Sequence, residues 1–156
     1  MKNVKLLLFA LLATMFAVSL GFANDRKFHA KLTGDEEVPS IETKAKGEAK
    51  FKLSKDGKEM RYELRVKNIK NATAAHIHRG KKGSSGPPLA NLYTGPKKEG
   101  KFNGTLAEGT LTENDLTGEL MGKSFNELVQ YIQSGETYVN VHTDANPDGE
   151  IRGQIK

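Results

Sequence analysis

The feature that most constrains this chain is an alternation of apolar and charged residues with a period of two. In "MRYELRVKNI", Met60, Tyr62, Leu64 and Val66 fall on one side and Arg61, Glu63, Arg65 and Lys67 on the other. A strand rises with successive side chains on opposite faces, so this pattern predicts antiparallel strands with one buried and one wet face. "KFHAKLTG" repeats it with Phe28, Ala30 and Leu32, and "GEAKFKL" with Ala49, Phe51 and Leu53. Asp56-Gly57 marks a hairpin turn after the second of these. Further strands are expected at Ala74–Arg79, Ala90–Tyr93, Phe102–Thr112, Leu116–Leu120, Thr137–Thr143 and Glu150–Ile155. Short strands at regular spacing, with 16 glycines between them, predict an all-β fold, a Greek-key antiparallel β-sandwich or barrel.

One segment has a helical period instead. In "GKSFNELVQYIQSGE", Phe125, Leu128, Val129 and Ile132 share a face, and Gly135 is placed to end the helix. Ser124 and Glu127 have the spacing of a capping box. One short helix is expected near 124–134, with its apolar stripe in the core rather than on a partner.

The start of the chain reads differently. "MKNVK" is basic, Leu6–Leu20 is apolar apart from Thr14 and Ser19, and Gly21 and Ala23 place small residues before Asn24. This is the build of a signal peptide cleaved after Ala23, and the run is short of the ~20 apolar residues that span a bilayer. The expected organisation is therefore a signal peptide at 1–23 and one domain at 24–156, exported to the periplasm or secreted. The chain lacks cysteine, so disulfides do not staple that domain. Lys2 and Lys5 account for two of the five net positive charges, and Lys alternates with Glu along the strands. A nucleic-acid partner is not indicated.

Two of the four histidines, His76 and His78, lie in "AHIHRG". At positions i and i+2 of a strand both imidazoles point to one face, roughly 7 Å apart along the chain. In "TYVNVHT", Val139 and Val141 face inward, leaving Tyr138, Asn140 and His142 on the opposite side. If the two strands are neighbours, His76, His78 and His142 form a three-imidazole site suited to a transition metal. The competing reading is three ordinary strand histidines. Metal binding gains on it because these two strands lack the usual Lys and Glu on the outward face. Around His142, Asp144 and "NPDGE" could offer oxygens to calcium, but turn chemistry explains them. No phosphate-cradling glycine loop, catalytic serine context or cysteine nucleophile is present.

"GDEEVP", "AHIHRGKKGSSGPP" and "SGETYVNVHTDANPDGEIRGQI" closely resemble the CHRD domain, a module named from chordin and found in exported bacterial proteins. The resemblance runs from about Phe28 to the end. It implies an extracellular or envelope setting without defining an activity. More distantly, "AKLTG", "AHIHRG", "GPPL" and "VNVHT" are similar in order to copper/zinc superoxide dismutase. That likeness implies copper at His76, His78 and His142. The histidine that bridges copper to zinc in those enzymes falls at Pro88, and the zinc loop has no counterpart between Pro87 and Gly100. Zinc is therefore less favoured than copper. Arg152 or Arg79 would be the anion-guiding arginine and His29 a fourth ligand, although each also reads as an exposed strand or turn residue. Three functions follow, in order: an exported copper-binding domain; a non-catalytic extracellular or envelope protein-interaction module without metal; and, last, a dismutase-like enzyme.

Overall fold

The computed structural model describes residues 26–156. The signal-peptide reading lies outside them. Seven strands follow in the order β1 (Lys27–Thr33), β2 (Lys46–Leu53), β3 (Met60–Arg79), β4 (Pro88–Tyr93), β5 (Lys98–Leu111), β6 (Thr137–Thr143) and β7 (Ile151–Gln154), with a helix α1 (Phe125–Gln133) before β6. All pairings are antiparallel. β1 pairs with β2, β2 with β3, β3 with β6, β6 with β7 and β7 with β1, which closes a five-strand barrel. β4 and β5 add to β3 outside that ring. The fold is all-β, as the alternation predicts.

The 20-residue β3 makes the closure possible. Its first half, Met60 to Lys67, runs against β2, and its last, Ala72 to Arg79, against β6. The sequence reads these as two strands, and they are one. Between them Asn68 and Asn71 take left-handed φ values of 58° and 52°, a conformation that asparagine tolerates better than most residues. There the buried positions step by three, through Val66, Ile69, Ala72 and Ala75, before alternation resumes at Ile77. The phase change re-aims the strand, so that its second half presents His76 and His78 outward.

The barrel interior is filled by the predicted apolar faces, with Leu32, Leu64, Ile77, Val139 and Ile151 wholly inaccessible. α1 adds Phe125, Leu128, Val129 and Ile132 to the same core, so its apolar stripe is spent inside the molecule. Gly135, at φ 71°, ends the helix as predicted. Two expectations need correction. The Ser124 side chain makes no capping bond; the Glu127 carboxylate pairs with Lys123 at 3.7 Å instead. The capping box forms at Thr112 and Asp115, ahead of a single 3-10 turn. Leu116–Leu120 is not a strand either: only Leu116 bridges to Ala90, and Gly118–Leu120 is a 3-10 turn. Leu116 and Leu120 are both buried at a spacing of four, which one face of a strand would allow as well, but Gly118, at φ 58°, turns the chain between them.

Candidate metal centre

The site forms where the second half of β3 lies against β6. Ala75 and Ile77, and across from them Val139 and Val141, are fully buried inward. Their neighbours His76, His78 and His142 must therefore face outward. The register pairs His76 with Asn140, His78 with Tyr138 and Ala74 with His142, which sets His142 diagonally across from His76. The three imidazoles converge: one ring nitrogen from each lies within 4.8 Å of the other two. His76 Nδ1 and His142 Nε2 are 3.0 Å apart, and the ring centroids are separated by 4.9, 5.5 and 6.1 Å.

Two nitrogens held at 2.0–2.1 Å from a shared ion and 3.0 Å apart subtend roughly 95° at it. Nitrogens on opposite sides of an ion would be ~4.1 Å apart. Small ring rotations thus bring a pair at the 4.8 Å limit onto one ion.

Hydrogen bonds fix the tautomers. His78 Nδ1 lies 2.9 Å from the Gly86 carbonyl and His142 Nδ1 2.8 Å from the Pro147 carbonyl. A carbonyl only accepts, so both Nδ1 atoms carry the proton and both Nε2 atoms keep a lone pair. His142 Nε2 accepts from His76 Nδ1. His78 Nε2 is buried with no partner. Backbone carbonyls that orient imidazoles in this way are the usual outer shell of a metal site. Burial, and then the neighbouring His142 and His78, push the His76 pKa down to about 4. Burial also lowers His78 and His142, against the carbonyls that support their Nδ1 protons. All three rings are therefore neutral near pH 7, the form in which imidazole ligates.

The outward face of β6 is covered, which the alternation did not predict. Tyr138 and Asn140 are only 3% and 2% exposed. Tyr138 is roofed by the loop after β3, residues 80–87, whose Gly86 N–H donates to the Tyr138 hydroxyl; Asn140 is covered by the turn before β7, where it donates to the Asp148 carbonyl. Gly86 brings its carbonyl to His78 by passing close to Arg79: a Cβ there would sit 2.0 Å from the Arg79 carbonyl oxygen, so only glycine fits. Arg152 pins the loop from below, donating from Nη2 to the carbonyls of Ser84 at 2.6 Å and Lys81 at 3.2 Å. Its guanidinium lies 3.4 Å from the Tyr138 ring centroid, and Tyr138 stacks on His78. Gln154 adds bonds to Gly80 and Gly135.

Arg152 thus departs from the exposed residue that the sequence suggested. It is 2% exposed and built into the support of the site. Arg79 points elsewhere, to Glu119 at 2.9 Å and over Tyr131. His29 lies on the outer face of β1, outside the cluster. Two of the acids near His142 are engaged with other side chains. Glu150 accepts from Thr43 and Thr143, and Asp144 pairs with Lys97. Pro88 stands directly opposite His78 in the β3–β4 register, so that side of the site has no fourth imidazole. Tyr138, Asn140 and Gly86 were not singled out from the sequence. The signal was present in the missing Lys and Glu on the outward side of β6.

Comparison with known proteins adds a family. The sequence model described as the CHRD domain matches residues 28–155. Chordin of Xenopus laevis is 30% identical over 142 residues, which cover 86% of this chain. The chain spans 13% of that protein's length. No solved structure matches. These findings support the CHRD resemblance, and they do not support the more distant one to copper/zinc superoxide dismutase.

Proposed function

The chain belongs to the CHRD domain family, and from that premise we propose that it is an exported binding domain whose His76, His78 and His142 hold one transition-metal ion, copper in preference to zinc. The observation that carries this reading is the convergence of three neutral imidazoles from two strands, two of them locked by backbone carbonyls so that Nε2 keeps its lone pair. An all-imidazole set suits copper, zinc, nickel and iron. Copper is preferred to zinc because Cu(II) stands above Zn(II) in affinity for a given nitrogen site. To offer Nδ1, His76 must carry its proton on Nε2.

Binding ranks above turnover, because the likeness that suggested superoxide chemistry has no support beyond the three histidines themselves. A second reading is favoured by the match to chordin: an extracellular or envelope protein-interaction module in which the imidazoles are structural. The comparisons lean toward it, since neither the family's description nor the relative's name mentions a metal.

Calorimetric titration of residues 24–156 with Cu(II) and Zn(II) separates the two. The metal reading expects one site per chain, tighter for copper, and weakened about a hundredfold or more by His142→Ala. Equal, weak uptake by wild type and by the His76→Ala/His78→Ala variant would leave the interaction module standing alone.

A further inference from the structure

The charged residues that alternate harmlessly along the sequence do not all alternate in space. The outer faces of β1, β2 and the first half of β3 form one continuous wall of the barrel; its middle rows set Lys50 against Glu63 and Glu48 between Lys31 and Arg65, and its two end rows stack like charges. Lys27 pairs with Lys52, which pairs with Arg61. Lys46 pairs with Lys67. Side chains directly opposite on adjacent strands have Cβ atoms about 5 Å apart, and like charges there destabilise the sheet. The two acids on the wall are already used: Glu48 pairs with Lys50 at 3.4 Å and Glu63 with Arg65 at 3.1 Å. Lys27, Lys31, Lys46, Lys52, Arg61 and Lys67 are exposed, and none has an ion-pair partner among the described residues. This wall therefore holds eight of the 24 Lys and Arg and two of the 19 acids. The rest of the chain is close to neutral, so its net charge is gathered on one side.

Packing does not account for this arrangement, because the wall's inward residues, Phe28, Ala30, Leu32, Ala49, Phe51 and Leu64, are the ones that build the core. We propose that the wall is a docking surface for an anionic phospholipid bilayer. The unpaired cations form two rows, Lys27–Lys52–Arg61 and Lys46–Lys67, with neighbours about 5 Å apart across strands; the rows lie six residues, about 20 Å, apart along the strands, and Lys31 stands between them. A plane of phosphate headgroups can neutralise all of them together, whereas a single linear polyanion would follow one row and leave the others facing each other. The large exposed apolar residues, Val38 and Met121, lie outside these strands. Adhesion is accordingly electrostatic and reversible, without insertion. It does not depend on the metal reading.

The test is sedimentation of residues 24–156 with vesicles of phosphatidylglycerol and phosphatidylcholine, against phosphatidylcholine alone, at low and high salt. Wild type should bind only the anionic vesicles and release in about 0.5 M salt. The variant K27E/K52E/R61E should lose at least about a hundredfold in partitioning, since each basic residue near such a surface is worth roughly a factor of five and the reversed charges add repulsion. A control of equal charge change outside that wall, K70E/K98E/K101E, should bind far more tightly than that variant. Circular dichroism checks that all three fold. The proposal is overturned by no binding to anionic vesicles at low salt, or by equal losses in the two variants. It is also overturned if wild type binds a soluble acidic polysaccharide through these residues while ignoring the vesicles.

Discussion

At the scale of single residues, the molecule is governed by buried groups that are charged in water. His76 is held neutral down to about pH 4, mainly by burial. Glu37, from the "GDEEVP" stretch, has its pKa pushed up to about 7 by burial, which outweighs the pull of Arg152. Its Oε1 has no hydrogen-bond partner. The two act with opposite sign over overlapping pH windows. Between the unfolded value of 6.5 and about 4, the unfolded chain binds a proton that folded His76 refuses, so stability falls as pH falls through that window. For Glu37 the contribution is complete below the unfolded value of 4.5 and is lost as pH rises through about 7. In urea midpoints of the metal-free protein from pH 4 to 8, the two slopes should therefore oppose each other between about pH 4.5 and 6.5. His76→Asn should make stability fall more steeply as pH rises through that window, and Glu37→Gln should make it rise more steeply. Unchanged profiles in both variants would mean that these groups titrate alike in the folded and unfolded chains.

At the scale of elements, the loop at 80–87 and the strands beneath it act as one unit. Arg152 is the tie: a buried cation satisfied by two loop carbonyls and by the face of Tyr138. Removing it leaves those carbonyls short of a donor and Tyr138 short of its upper neighbour. Arg152→Ala should cost about 2–3 kcal/mol, as expected for a charge-assisted bond with a cation–π contact. It should also open the loop to proteolysis between Lys81 and Ser84. A variant with wild-type stability and protease resistance would remove Arg152 from the support of the site. Much at this scale was legible in the sequence: the β1, β2 and β6 strands, the hairpin at Asp56-Gly57 and the apolar face of α1 are all where the alternation put them. What was not legible has local causes. Asn68 and Asn71 carry β3 through a phase change that looked like a break between strands. Leu116 and Leu120 satisfy a 3-10 turn as well as they satisfy a strand in a one-dimensional reading. Arg152 was misread because its partners are carbonyls more than sixty residues away, and backbone acceptors have no signature in the sequence.

At the scale of the whole molecule, the closed barrel sorts its outer surface into two unlike regions. One is the basic wall of β1, β2 and early β3. The other is the roofed polar patch of late β3, β6 and β7, where the histidines meet. The same long strand contributes to both, and the turn in its middle separates them. The histidine convergence could be anticipated, because i and i+2 on a strand share a face and only strand neighbourhood had to be supplied. The basic wall could not, since Lys and Glu alternate along each strand and only the register reveals that its two end rows match in sign. The central claim is that three imidazoles from two strands hold one ion. Electron paramagnetic resonance of the Cu(II)-loaded protein, labelled with 15N-histidine, tests it most directly. The account predicts couplings to three imidazole nitrogens, falling to two in His142→Ala. A signal with no histidine nitrogen, or one that His142→Ala leaves unchanged, would contradict it.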